Sequence, residues 1–223
     1  MIKIGFLLLS ILMIVSPIVF FLKSPEKNKL TRNYLLIITI WMIYILGLSF
    51  SGVLKSFDLP PRVPLLIIIP SIILSVWLTG QSIFKRNLSV FSQTFPVFIQ
   101  AFRVGVEMLI FGAILYGFFP AGVSFDGTNY DIIVGISALF TGFLMVKNFI
   151  GKKGVLAWNI ISLVILTGTG LTFVATYYLT DNFPEEVNRA NLTEFPFVLL
   201  PGILLPFAIF YHVVSIRQSL LKG

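Results

Sequence analysis

Residues 4–22 read IGFLLLSILMIVSPIVFFL, nineteen residues without a charged side chain. At 1.5 Å per residue, such a helix is about 28 Å long and matches a hydrocarbon core roughly 30 Å thick. The apolar region is too long for a signal peptide, and no small-x-small cleavage site precedes the basic cluster that begins at Lys23. The stretch is therefore predicted to be a transmembrane helix.

Six more apolar stretches of similar length follow, separated by short polar connectors. The predicted spans are 4–22, 33–53, 62–80, 96–118, 130–149, 155–179 and 195–218. The composition agrees, since 57% of the 223 residues are hydrophobic and 11% are charged, against about a quarter in soluble domains. The sequence predicts an all-α, seven-helix transmembrane bundle forming a single membrane domain over residues 1–223.

The placement of basic residues predicts the orientation of the bundle. Of the 16 Lys and Arg residues, 11 lie in the first, third and fifth connectors and the carboxyl-terminal tail. Four lie on the other side, and Arg103 lies inside a span. The positive-inside rule therefore predicts a multi-pass protein of the bacterial inner (plasma) membrane, with its amino terminus outside and its carboxyl terminus in the cytoplasm.

The connector at 83–95 has an amphipathic pattern. Phe84, Leu88 and Phe91 recur at helical spacing, whereas Lys85 and Arg86 occupy the opposite face. This pattern predicts a short interfacial helix before the fourth span, with its apolar side chains toward the acyl chains and its cations toward cytoplasmic headgroups.

Several polar residues fall inside the predicted hydrocarbon region. An ionisable group there costs at least about 2.5 kcal/mol, so it normally faces protein or water. Gln100, Arg103 and Glu107 share one face of the fourth span, and Arg103 and Glu107 are spaced to form an ion pair. Asn159 in the sixth span and His212 in the seventh have similar predicted depths, in the inner half of the bilayer.

Three interpretations of this polar cluster are open. It can be a structural ion pair with hydrogen-bond partners, a functional site for a proton, ion or solute, or a scatter of groups that snorkel toward the headgroups. His212 is the only histidine, and the chain has no cysteine, so the sequence predicts no metal site and no cofactor.

A second candidate lies at the outer end of the fifth span. Asn129 has the chemistry of a helix cap, and Asp131 lies at the positive end of the helix dipole. The alternative function for this pair is an outer gate or cation site. Asp131 also begins a face of small residues, with Gly135, Ala138 and Gly142, which predicts close packing of the fourth and fifth spans inside the bundle.

Two segments carry a family resemblance: SFDGTNYDI at 124–132, and LPGILLP at 200–206 with the sequence that follows as far as His212. They resemble segments of an uncharacterised family of bacterial seven-span integral membrane proteins. The resemblance implies a shared fold and lineage, and it implies no activity.

Three functions are compatible with the sequence. The first is a small-solute or proton-linked transporter that uses the polar cluster. The second is an accessory or scaffold subunit with a membrane-protein partner, and the third is a lipid-, quinone- or haem-binding membrane protein. Paired carboxylates, histidine clusters and nucleophile motifs are missing, so we expect no enzyme activity. The expected environment is the lipid bilayer, and no nucleic-acid partner is expected.

Overall fold

The fold is described from a computed structural model that covers residues 1–124 and 129–221. Residues 125–128, which hold part of the SFDGTNYDI segment, lie outside the described residues. So do Lys222, which was counted on the cytoplasmic side, and Gly223.

Within the described residues the chain forms eight helices and no strand. They are α1 Ile2–Phe21, α2 Lys27–Phe50, α3 Pro64–Gly80, α4 Ser82–Asn87, α5 Phe95–Leu115, α6 Asp131–Val146, α7 Lys152–Leu179 and α8 Leu200–Ser219. The all-α prediction is confirmed, and each predicted span corresponds to one of these helices, within a few residues at most ends.

Five of the helices (α1, α2, α5, α7 and α8) are long and apolar enough to cross a membrane. The other two apolar helices, α3 and α6, are shorter than 18 residues. These helices give the chain the character of a membrane protein. The count of seven spans and the orientation of the termini stay predictions.

Helix α8 is the centre of the bundle, and 78% of its most apolar 18-residue stretch is buried. It packs against α3, α7, α1 and the beginning of α5, and α6 completes the bundle by packing on α5 and α7. Helix α2 lies at the edge of the bundle, and only 11% of the corresponding stretch is buried. The expectation that the fourth and fifth spans pack together is confirmed, but the most interior helix is the seventh.

Prolines inside three helices free backbone carbonyls, and side chains satisfy them. A proline has no N–H to donate to the carbonyl four residues earlier. Pro17 frees the carbonyl of Met13, which accepts a hydrogen bond from Ser16 Oγ at 2.7 Å. One residue further along the same helix, the Ile14 carbonyl accepts a hydrogen bond from Tyr34 Oη of α2 at 2.5 Å.

Hydrogen bonds to carbonyls that prolines leave open also join α2 to two other helices. Pro70 in α3 frees the carbonyl of Leu66, to which Tyr44 Oη donates at 2.8 Å. Pro206 in α8 frees the carbonyl of Gly202, to which Trp41 Nε1 donates at 2.8 Å. Aromatic donors on α2 therefore attach this peripheral helix to the bundle at carbonyls that prolines leave open.

The interfacial helix is different from the prediction. Only residues 82–87 are helical, and Phe84, Leu88 and Phe91 are buried in the protein rather than turned toward acyl chains. The ring of Phe91 packs against Phe20 at a centroid distance of 4.6 Å and against Phe84 at 5.3 Å. The apolar face was correctly identified, but it covers the end of the bundle, while Lys85 and Arg86 are exposed.

Polar contacts fix this segment to the first connector. Asn87 Nδ2 donates to Glu26 Oε2 at 2.8 Å, and Ser24 Oγ donates to Asn87 Oδ1 at 2.7 Å. Arg86 Nη2 lies 3.3 Å from Glu26 Oε1. The hydrogen bond from Asn87 and the neighbouring Arg86 lower the pKa of Glu26, which is half-buried at the basic end of the molecule.

Candidate functional site

All seven residues selected from the sequence are buried in the bundle, each with at most 4% of its surface exposed. Helix α5 carries three of them, the beginning of α6 two, and α7 and α8 one each: Gln100, Arg103, Glu107, Asn129, Asp131, Asn159 and His212. The inner cluster and the outer-end pair, which were predicted as separate sites, meet in one polar network.

The core of this network is the ion pair between Arg103 and Asp131. Arg103 Nε donates to Asp131 Oδ2 at 2.7 Å, and Arg103 Nη2 donates to Asp131 Oδ1. The pair has the two-pronged geometry that gives a guanidinium and a carboxylate their strongest hydrogen bonding. The predicted partner of Arg103 was Glu107. That prediction is wrong, since no ion pair joins them among the described residues.

Close packing of α5 and α6 explains the correction. An added Cβ on Gly135 would lie 2.7 Å from the backbone nitrogen of Val104, so the helices touch backbone to backbone at this level. Asp131 precedes Gly135 by one turn on the same face of α6. Helix α5 continues past the level of Glu107 for about 12 Å before it ends at Leu115, so this level is well inside the bundle. Asp131 is the first residue of α6, as expected, and it lies inside the bundle, where it reaches Arg103.

His212 connects the ion pair to α7. Its Nε2 lies 3.1 Å from Arg103 Nη1, and its Nδ1 lies 2.8 Å from Asn159 Oδ1. A guanidinium can only donate, so Nε2 is the acceptor and carries no proton. The proton is then on Nδ1, which donates to Asn159. These contacts require a neutral imidazole of one defined tautomer.

Asn159 extends the network toward the basic end of the molecule. Its Nδ2 lies 2.8 Å from Ser215 Oγ and 2.8 Å from the carbonyl of Val155. Ser219 Oγ in turn donates to the carbonyl of Ser215 at 2.9 Å. The prediction that Asn159 and His212 lie together is met, and Ser215 adds a hydroxyl one turn further along α8.

Glu107 belongs to a second branch, in which no cation among the described residues forms an ion pair with it. Asn129 Nδ2 lies 2.9 Å from both carboxylate oxygens of Glu107 and 3.1 Å from the carbonyl of Val123. Asn129 Oδ1 accepts hydrogen bonds from the backbone N–H of Asp131 at 3.0 Å and from Thr169 Oγ1 at 2.9 Å. The N-cap residue of α6 is Tyr130 rather than the predicted Asn129, but Asn129 accepts the first N–H of the helix and also holds Glu107 in place.

Gln100 lies beside the network but is not part of it. Its Nε2 donates to the carbonyl of Ala208 at 2.9 Å, and its Oε1 is buried without a hydrogen-bond partner in the part of the chain that the structure describes. Its shared face with Arg103 and Glu107 therefore does not translate into a shared site, and its contact ties α5 to α8.

A small cavity adjoins the ionisable groups. Its volume is about 80 Å³, room for a few water molecules, and its wall is mostly apolar. The polar part of the wall includes Arg103, Glu107, Asp131 and Thr169. Thr169 lies on the stripe of Asn159, Ser162, Thr172 and Thr176 along α7. That stripe was visible in the sequence, but the contact of Thr169 with Asn129 was not.

Comparison with protein-family models, with curated proteins and with solved structures finds no match for this chain. The expected lineage therefore stays a prediction. Among the described residues, no group of three or more His, Cys, Asp or Glu side chains is placed to hold a metal ion.

Proposed function

We propose that the protein is a small proton-linked membrane transporter in which Glu107 binds and releases the proton. The observation that carries the proposal is the position of this carboxylate. Glu107 is 1% exposed, its described hydrogen-bond donor is the neutral amide of Asn129, and it borders a cavity large enough for water. A buried acid with these surroundings can serve as a proton carrier.

The charge balance of the site supports this role. Arg103 and Asp131 neutralise each other, and the hydrogen bonds of His212 require its neutral form. Glu107 is then the remaining charge, so its protonation changes the buried site between neutral and singly negative. Because a net charge is costly at this depth, such a change favours a different arrangement of helices or a bound counter-ion.

The polar groups form two branches that meet at the ion pair. One branch runs from Glu107 through Asn129 to Thr169, which lies on the hydroxyl stripe of α7. The other runs from His212 through Asn159 to Ser215 near the basic end. A guanidinium has no acceptor atom and stays charged, so a chain of proton transfers cannot pass through Arg103. In the proposal, the pair separates the two branches, so a proton crosses only when the helices rearrange.

The size of the cavity limits the cargo that the described arrangement holds. Small-molecule sites usually occupy about 300–1,000 Å³, whereas this cavity has about 80 Å³. It can accommodate water or a small ion, and a larger solute would require the helices to separate. The proton is therefore the species to follow first.

The proposal includes the predicted topology, with seven spans and a cytoplasmic carboxyl terminus in a bacterial inner membrane. A reporter fused after Gly223 should be cytoplasmic, and a reporter inserted at Gly127 should be external. Detection of both reporters in the same compartment would overturn the count of seven.

Proton flux into proteoliposomes tests the function. Vesicles with a trapped pH-sensitive dye and an imposed potassium gradient, discharged through valinomycin, should acidify faster with the protein than without it. Glu107→Gln keeps one oxygen that can accept from Asn129 Nδ2 but cannot exchange a proton, so it should abolish the flux while the protein stays folded. Glu186→Gln, a matched change at an exposed site, should retain the flux. Equal flux in all three proteins would refute the proposal.

An accessory role in a membrane complex is the second candidate, and the dense hydrogen bonding around Arg103 favours it. Three of its nitrogens, Nε, Nη1 and Nη2, have partners, as expected for a group that only fixes helix packing. In this case Glu107→Gln leaves folding and partner binding intact, and the purified protein carries no flux of its own.

A further inference from the structure

A second and larger cavity lies at the edge of the bundle, between α2 and α3, with α8 as its floor. Its volume is about 370 Å³, within the range of small-molecule sites, and most of its wall is apolar. Residues from each side include Tyr34 and Trp41 of α2, Leu74 and Leu78 of α3, and Phe207 of α8. We refer to it as the α2–α3 groove.

The attachment of α2 to the bundle explains why the groove exists. Near its far end, the hydrogen bond from Tyr44 to the Leu66 carbonyl joins α2 directly to α3. Further toward the basic end, the Trp41 side chain donates to α8 and the Tyr34 side chain donates to α1. Among the described residues, no side-chain hydrogen bond joins α2 to α3 there. The two helices therefore enclose a space that is bounded at the far end and continues to the basic end.

The dimensions of the groove match one membrane leaflet. Its wall on α2 extends from Leu30 to Trp41, a distance of about 16 Å along a helix. Half of a hydrocarbon core is about 15 Å. An acyl chain that enters from the headgroup layer at the basic end would reach the floor near Gly202 at the middle of the core.

The mouth of the groove is basic. On α2, Lys29 precedes the groove residue Asn33 by one turn, and Arg32 precedes the groove residue Leu36 by one turn. On the other side, Lys85 follows the groove residue Gln81 by one turn. Within the described residues, none of these three exposed cations forms an ion pair.

The acid nearest to this mouth is already engaged. Glu26 accepts hydrogen bonds from Asn87 and Arg86. The side chain of Asn33 has no hydrogen-bond partner among the described residues, and it lies where apolar wall and basic rim meet. Two or three cations are therefore available to bind a phosphate, and the Asn33 amide is available to bind a glycerol ester.

We propose that the α2–α3 groove binds one acyl chain of an anionic phospholipid, whose phosphate lies between Lys29, Arg32 and Lys85. An apolar channel one leaflet deep, with uncompensated cations only at its headgroup end, has the amphipathic order of such a lipid. The site is separate from the polar network, since its lining includes none of the buried ionisable residues of that network.

Native mass spectrometry of the full chain tests the site. Protein purified in a mild detergent is incubated with equal amounts of phosphatidylglycerol and phosphatidylcholine of identical chains, and retained lipid is counted. Phosphatidylglycerol should be retained preferentially. Lys29→Gln with Arg32→Gln should reduce that preference roughly 25-fold, since each cation near the membrane surface contributes about fivefold. Lys147→Gln with Lys153→Gln, a matched loss of two charges where α6 ends and α7 begins, should leave it unchanged.

A second pair of variants tests the groove itself. Leu78→Trp fills it and should remove both lipids, whereas Val164→Trp on the exposed face of α7 should remove neither. Circular dichroism and a melting curve establish that each variant is folded. Equal retention of the two lipids by the wild type, no effect of Leu78→Trp in a folded protein, or a second copy of the chain in place of lipid would overturn the proposal. Lipid binding and proton flux are measured separately, so each proposal fails or stands independently.

Discussion

The buried ion pair makes a quantitative prediction for Asp131→Ala. Arg103 is 1% exposed, and two of its nitrogens donate to this carboxylate. Removing one partner of a buried pair costs about 3–5 kcal/mol, because the other charge loses its compensation. Glu107 is the next acid along the same face of α5, and it offers Arg103 partial compensation. We therefore expect a loss of unfolding free energy at the lower end, about 3 kcal/mol.

The assay is reversible unfolding in mixed micelles by increasing dodecyl sulfate, followed by circular dichroism. Glu194→Ala is the matched control, since its ion pair with Lys55 is 2.7 Å long but the side chains are 44% and 49% exposed. That control should lose at most about 1 kcal/mol. The double variant Arg103→Met with Asp131→Ala should recover much of the loss, since the Arg103 charge is no longer left without its partner. A cost for Asp131→Ala no larger than that of Glu194→Ala would refute the central role of the pair.

Three other changes test the packing by the same unfolding measurement. Gly135→Ala should destabilise the protein by about 1–3 kcal/mol, because the added Cβ would meet the Val104 backbone. Gly168→Ala, which has open space around it, should be neutral or stabilising, and equal effects of the two changes would contradict the close approach of the helices. Trp41→Phe leaves the Gly202 carbonyl without its donor and should cost about 1–3 kcal/mol, against little for the half-exposed Trp77→Phe. Phe91→Ala should cost about 3–5 kcal/mol, and a cost below about 1 kcal/mol would indicate that Phe91 faces lipid instead of the protein interior.

Hydropathy was sufficient to predict the helices but not their environment. Apolar side chains suit lipid and protein interior equally, so the sequence gives no contrast between α2, which is mostly exposed, and α8, which is mostly buried. The same ambiguity explains the error at Phe84 and Phe91. Their spacing defined an apolar face correctly, but spacing carries no information about what lies opposite.

The residues of the polar network could be predicted because charge in hydrocarbon is costly wherever it lies. Their pairing could not be read from spacing within one helix, which favoured Glu107 as the partner of Arg103. A usable signal did exist. Asp131 begins the small-residue face with Gly135, and a face that packs on α5 must also turn its carboxylate toward α5.

The roles of Tyr34, Trp41 and Tyr44 were missed for a related reason. Each donates to a carbonyl that a proline in a neighbouring helix exposes or lies close to. The prolines identify the open carbonyls from sequence alone, but the donor is known only when neighbouring helices and their depths are known.

Infrared difference spectroscopy of the protein in lipid bilayers tests most directly the central claim that Glu107 exchanges a proton. Acidification should produce the carbonyl band of a protonated carboxylic acid that is absent in Glu107→Gln and present in Glu186→Gln. We expect this band in the same protein that carries the proton flux. An identical set of carboxyl bands in the wild type and in Glu107→Gln across the whole pH range would contradict it, and would leave Glu107 with a structural role only.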